Sequence, residues 1–138
     1  SMSRLQDKAA NLLAPIATAM TDVTGFGLAG HLMNILNTSG VTATLTIDSI
    51  PILAGAEALS DKGVHSTLWA ANAELSSQMT LVEGAKSDLL FDPQTCGGLL
   101  ACIPQAEIRP LIAAFQSASE PIWTIGQIQA ETPHINVR

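Results

Sequence analysis

Residues 41–47 read Val-Thr-Ala-Thr-Leu-Thr-Ile, with an apolar side chain at every second position. A two-residue period predicts a β-strand with one buried face. Upstream, Leu28, Leu32, Ile35 and Leu36 recur at helical spacing. They predict an amphipathic helix over 26–37, stopped by Ser39-Gly40. Ser3 is placed to cap an earlier helix running to about Leu13, with Asp7 in its first turns and Pro15 at its end. Residues 16–21 read as a short buried strand.

Downstream, 48–51 is a turn, 52–61 a helix stopped near Gly63, and 67–78 a helix capped by Ser66. Leu89-Leu90-Phe91 reads as a short strand broken by Asp92-Pro93, and 98–103 as another strand. Residues 104–119 are helical, with Pro110 forcing an irregularity. Residues 122–130 are strand-like with an interruption at Gly126, and 135–137 form a last short strand. Helices and strands do not alternate regularly. The expected class is α+β, a mixed sheet with helices packed on it.

Composition narrows the partners. The 138 residues fit one domain. Hydrophobic residues are 47% and charged residues 13%, which fits either a surface partly covered by a partner or a compact Ala-rich domain. The net charge is −6 with no basic cluster, which argues against nucleic acid. No apolar run reaches the ~18 residues of a membrane span, and no signal segment is present, so a cytoplasmic protein with no membrane partner is expected. Cys96 and Cys102 make no disulfide framework, and with His31, His65 and His134 scattered they complete no zinc site. Both are expected as buried thiols. Ser1-Met2 reads as a remnant ahead of a chosen start, which would make this a piece of a longer protein.

Candidate chemistry concentrates in Thr21-Asp22-Val23-Thr24-Gly25-Phe26-Gly27-Leu28-Ala29-Gly30-His31. Residues 25–30 satisfy G-x-G-x-x-G, and Asp48 follows at the distance of a ribose-binding acid, which is one dinucleotide-binding reading. Asp22 beside the pyrophosphate would repel it unless a cation intervened. A second reading centres on Asp22 as a Mg²⁺ ligand. Thr21 and Thr24 then bind phosphate or order the turn, and Gly25 and Gly27 admit a ligand close to the backbone. The third reading is structural: Asp22 and Thr24 only cap the following helix.

A second dense segment is Leu90-Phe91-Asp92-Pro93-Gln94-Thr95-Cys96-Gly97-Gly98-Leu99-Leu100. Asp92 before proline is expected to be extended. Gln94, Thr95, Gly97 and Gly98 offer donors on a close-approach loop, or form an ordinary turn into a strand. Together the two segments, their separation, Ile50-Pro51 and the Trp123-Thr124-Ile125-Gly126 stretch resemble the C-terminal half of selenophosphate synthetase (selenide, water dikinase). That family belongs to the aminoimidazole ribonucleotide synthetase superfamily.

The resemblance implies an α/β domain with a mixed sheet, completed by an N-terminal half that forms the homodimer and much of the nucleotide site. It implies a reaction of ATP, water and selenide giving selenophosphate, AMP and phosphate with Mg²⁺. Asp22 matches a Mg²⁺-binding aspartate. Thr21, Thr24, Gly25, Gly27, Asp92, Gln94, Thr95, Gly97 and Gly98 fall beside the nucleotide phosphates. The catalytic cysteine or selenocysteine and its lysine belong to the other half, so no catalytic residue and no tightly bound cofactor is expected here, and the chain alone should be inactive. Cys96 stands where the family commonly has serine. The chain departs from a family Pro-Gly-Gly-Thr-x-Arg-Asn-like stretch at 63–72, where Ser66, Thr67 and Asn72 remain but the glycine pair and arginine are absent. Some relatives are fused to a flavin-dependent NADH dehydrogenase-like domain. A non-catalytic assembly module on such a domain is the alternative function, and a related ATP-activating enzyme is a third. His31 is expected as a hydrogen-bonded structural histidine, His65 and Trp69 as a surface-to-core contact, and Trp123 as core.

Overall fold

The computed structural model describes residues 6–138, so the cap expected at Ser3 lies outside it. In chain order the elements are α1 (Asp7–Leu13), β1 (Ala19–Asp22), α2 (Gly27–Ser39), β2 (Thr42–Leu45), α3 (Ala56–Ser60), α4 (Trp69–Ala73), β3 (Met79–Thr80), α5 (Ala85–Asp88), β4 (Leu99–Cys102), α6 (Ile108–Ser117), β5 (Gly126–Gln129) and β6 (Ile135–Val137). Short 3-10 turns occupy Ile47–Ser49, Glu74–Gln78, Leu89–Phe91 and Gln105–Glu107.

A mixed sheet runs β3-β6-β2-β5, parallel at β3–β6 and β2–β6 and antiparallel at β2–β5. β1 and β4 form a separate antiparallel ribbon, with Asp22 opposite Leu99 and Ala19 opposite Cys102. This is the α+β architecture expected. One apolar core joins α2 (Ala29, Leu32, Met33, Leu36), the sheet (Ala43, Leu45, Ile135, Val137), Leu90 and Phe91, and the ribbon through Val23 and Leu100. A second, smaller core sets Leu13 of α1 and Leu111 and Phe115 of α6 against Leu99, Ala101 and Ile103. No helix among the described residues is long and apolar enough to cross a membrane.

α2 forms as its spacing predicts and ends at Gly40, whose φ of 65° lets its N–H donate to the Leu36 carbonyl. Its buried stripe is rotated from the expected one: Ala29 and Met33 are buried, whereas Leu28 and Ile35 are only partly so. Two neighbours, the sheet and the 89–91 turn, share the helix, and they widen the apolar arc. β2 is central, so the expectation of one buried face fails at Thr42. That residue is buried, and its hydroxyl donates to the His134 carbonyl at 2.8 Å.

Other boundaries move for identifiable reasons. The strand expected over 16–21 starts at Ala19, because Ile16 and Ala17 N–H groups still donate to the Leu13 carbonyl. α3 starts only after Gly55, at φ 84°. The 67–78 helix divides into α4 and a 3-10 turn, and Ser66 supplies its carbonyl, not its hydroxyl, to Trp69 N–H. Leu89–Phe91 is a buried 3-10 turn, not a strand. Three consecutive apolar residues fit either state. Residues 122–125 lie outside β5, and Trp123 is 55% exposed instead of core. Gly126 does not interrupt the strand but permits its start, since a Cβ there would lie 2.3 Å from the Thr44 carbonyl oxygen. Pro110 sits in the first turn of α6, where its missing N–H has no helical acceptor, so the irregularity falls earlier, at 105–107. β3 and α5, at two and four residues, carry too short a pattern to be seen in the sequence.

Candidate functional site

The structure joins the two motif segments through their backbones. β1 pairs with β4, and the ladder continues past both strands. Val23 N–H donates to Gly98 O at 3.0 Å, Gly97 N–H to Val23 O at 3.1 Å, and Gln94 N–H to Thr24 O at 3.0 Å. Residues about seventy positions apart therefore form one continuous loop pair at the end of the ribbon. Asp92 is extended, at φ −71° and ψ 124°, as proline after it requires.

Two glycines make this closeness possible. A Cβ at Gly97 would lie 2.2 Å from the Val23 carbonyl oxygen. At Gly27, whose φ is 68°, it would lie 2.7 Å from the Leu90 carbonyl oxygen. Their glycine identity is accounted for by packing between the segments. Gly25 and Gly98 differ: a Cβ on either meets nothing within 4 Å, and neither has a positive φ. Among the described residues no neighbour requires a glycine at those two positions.

The polar side chains divide similarly. Thr24 N–H donates to His31 Nε2 at 3.0 Å, with the Thr24 hydroxyl 3.1 Å from the same nitrogen. His31 is thus the hydrogen-bonded structural histidine expected, holding the turn from the second turn of α2. Accepting through Nε2 leaves the ring proton on Nδ1. The Thr21 hydroxyl donates to Asp22 O at 3.1 Å, and Gln94 Nε2 to Asp92 O at 3.3 Å. Gln6 Nε2 donates to Gly97 O. Asp22 is exposed and Asp92 half-buried, and among the described residues neither carboxylate has a hydrogen-bond or ion-pair partner. Thr95, Cys96 and Gly98 are exposed around the loop tip. Cys96 is therefore not the buried thiol expected. Cys102 is half-buried, and burial pushes its thiol above the ordinary value.

Asn72, outside the candidate set, is part of this assembly. Its Nδ2 donates to Gly25 O and to Phe91 O, both at 2.9 Å. Trp69, one turn earlier, donates from Nε1 to Asp88 O at 2.8 Å and packs edge-on to Phe91. His65 stacks on Trp69 with ring centroids 4.1 Å apart. The 63–72 stretch thus braces the chain around the start of the second motif.

The dinucleotide reading of 25–30 does not fit this geometry. It needs a parallel βαβ unit, but β1 pairs antiparallel with β4 and β2 lies in the other sheet. Asp48 is engaged with Lys86, 2.6 Å away, instead of presented to a ribose. Among the described residues no group of three or more His, Cys, Asp or Glu side chains could hold a metal ion.

A family profile described as AIR synthase related protein, C-terminal domain, matches residues 2–137. The selenide, water dikinase of Myxococcus xanthus (strain DK1622) is 36% identical over 123 residues, covering 86% of this chain and 35% of the relative. That of Dechloromonas aromatica (strain RCB) is 36% identical over 124 residues, 86% of this chain and 36% of the relative. Selenide, water dikinase 2 of Peptoclostridium acidaminophilum is 38% identical over 96 residues, 67% of this chain and 28% of the relative. The chain spans about a third of the length of these curated relatives. Among solved structures, thiamine-monophosphate kinase from Stenotrophomonas maltophilia K279a shares the fold, with a TM-score of 0.58 over 89% of this chain and 32% of that one at 23% identity. On a match that runs through almost its whole length, the chain belongs to the family of AIR synthase related protein C-terminal domains.

Proposed function

We propose that this chain is the C-terminal domain of a selenophosphate synthetase-like phosphotransferase that uses ATP, Mg²⁺ and selenide. It supplies one half of a composite site. The observation that carries this reading is the joint between the two motifs, which presents Asp22 exposed and, among the described residues, unpaired, beside Gly25 and Gly98, which no described neighbour requires to be glycine. The relatives named selenide, water dikinase, similar over 86% of the chain, support the same reaction class.

The donor set fits Mg²⁺, which is held by one or two carboxylates plus phosphate oxygens and water. Asp22 would be its ligand from this chain. Thr21, Thr24, Gly25, Asp92, Gln94, Thr95 and Gly98 line the approach to the phosphates, with Gly27 and Gly97 setting the spacing. Two unpaired carboxylates would repel a phosphate on their own, and a bound cation reverses that field. When bound, Mg²⁺ neutralises charge on the transferring phosphate. The chain's own groups orient the phosphates and limit their movement. One carboxylate without further ligands does not hold Mg²⁺ tightly, so the remaining ligands and the nucleophile come from a preceding half of a longer polypeptide.

Phosphorus NMR of the intact polypeptide with ATP, Mg²⁺ and selenide tests this. Selenophosphate and AMP are expected there, and neither from the present chain alone. Turnover by this chain alone would refute the half-site, and a different phosphorylated product would make the parent another ATP-activating enzyme. A second reading is favoured by the exposed Leu53, Leu59, Val64 and Leu68 in and around the altered stretch. They suit an assembly surface on a fused flavin-dependent oxidoreductase domain. Asp22→Ala in the intact polypeptide leaves selenophosphate production unchanged if that reading holds.

A further inference from the structure

We propose that Asn72 is a positioning residue of this site: its carboxamide clasps the Gly25 turn to the strand of chain entering Asp92 and so fixes Asp22 relative to the second loop. The proposal rests on the composite-site reading above. Gly25 O and Phe91 O lie in different motif segments, one three residues after Asp22 and the other immediately before Asp92. An amide nitrogen carries two hydrogens, and each carbonyl takes one. The main-chain ladder joins the segments from Val23 and Thr24 to Gly98, Gly97 and Gln94. At Gly25 and Phe91 a side chain, not main chain, makes the tie.

The chemistry at position 72 is restrictive. A carboxylate of the same shape donates nothing and would face two carbonyl oxygens. Alanine leaves both carbonyls without this donor. Half-burial on α4 and the Trp69 bond to Asp88 O hold the amide in place from the same helix. Asn72 contacts backbone on both sides, so it acts through the separation of the loops and not on the substrate. Gly27, packed against Leu90 and Phe91, keeps the two segments in register while Asn72 sets the turn above them.

The test compares Asn72→Asp, Asn72→Ala, Asn72→Gln and Asp22→Asn in the intact polypeptide. Selenophosphate formation is measured against Mg²⁺ concentration, with melting midpoints alongside. Asn72→Asp should lower kcat about ten- to a hundredfold and raise the Mg²⁺ concentration for half-maximal rate, as a misplacement of about 1 Å does. Asn72→Ala should follow it, and Asn72→Gln, which keeps both donors, should recover part of the rate. In proton–nitrogen NMR of the present chain, Asn72→Ala should move the amide signals of Gly25, Gly27, Gln94 and Gly98 while those of β5 and α6 stay. Rates within twofold in Asn72→Asp while Asp22→Asn is inactive would overturn the positioning role alone. Full activity in Asp22→Asn would overturn the composite-site reading and this inference with it. Loss of folding in both Asn72→Asp and Asn72→Ala would make the residue structural and also overturn it.

Discussion

The four-stranded sheet and the β1–β4 ribbon share a core but are built to different ends. Ala43 and Leu45 of β2 and Ile135 and Val137 of β6 are buried, and even Thr42 is closed in with its hydroxyl satisfied. Leu100 is the ribbon's buried strand residue; Met20 and Asp22 are exposed. The sheet and α2 hold the fold together. The ribbon holds two loops in register and leaves the Asp22 and Asp92 carboxylates without a partner among the described residues. A domain that keeps stability in one region can leave unpaired carboxylates in another, where a ligand or a second domain supplies the missing partners.

The sharpest contrast is between core and site substitutions. Leu36→Ala, at a side chain with 0% exposure, should cost about 2–5 kcal/mol in urea unfolding of this chain. Asp22→Asn, exposed and unpaired, should stay within about 0.5 kcal/mol. Equal costs would break the division between the two regions. Within the ribbon, Gly97→Ala should cost about 1–3 kcal/mol, since its Cβ would meet backbone that cannot step aside. Gly98→Ala next to it should change stability by less than about 0.5 kcal/mol. If both were neutral, the loops would not be as tightly joined as their hydrogen bonds indicate.

The cysteines sharpen the same contrast by pH. Cys96 is exposed on the loop tip, whereas burial raises the Cys102 thiol, favouring its protonated form. At any given pH Cys102 therefore carries less thiolate, and its labelling should rise only at higher pH than that of an ordinary thiol. Mass-resolved alkylation should show Cys96 modified first. Equal rates would mean the ribbon's outer strand opens freely. The smallest effect belongs to Lys86→Ala. Its bond to Asp48 raises the ammonium above its ordinary value, but Asp48 is exposed and the pair lies at the surface, so no measurable shift in the melting midpoint is expected.

Much of this was legible in the residues, and the misses have physical causes. α2 announced itself by spacing and by Gly40, and β2 by alternation. The 89–91 turn and the half-length helices at 56–60 and 69–73 did not, because short apolar runs fit several states until packing selects one. The two motifs were visible as dense polar and glycine segments. That Gly27 and Gly97 serve the joint between them while Gly25 and Gly98 face open space was not visible, because that distinction depends on which backbone lies opposite. Asn72 carries no local signal of this role in the sequence. Its two acceptors lie 47 and 19 residues away, beyond any local pattern. Trp123 was expected in the core as aromatic residues in strands usually are, but the strand begins three residues later.

The role proposed for Asp22 is to bring Mg²⁺ to a site shared with the rest of a longer chain. The most direct measurement is the Mg²⁺ dependence of selenophosphate formation by the intact polypeptide carrying Asp22→Asn. A fall of about a hundredfold or more with an unchanged melting midpoint is expected, as when a metal ligand is lost without loss of packing. A rate within twofold of the unsubstituted protein at every Mg²⁺ concentration would contradict it.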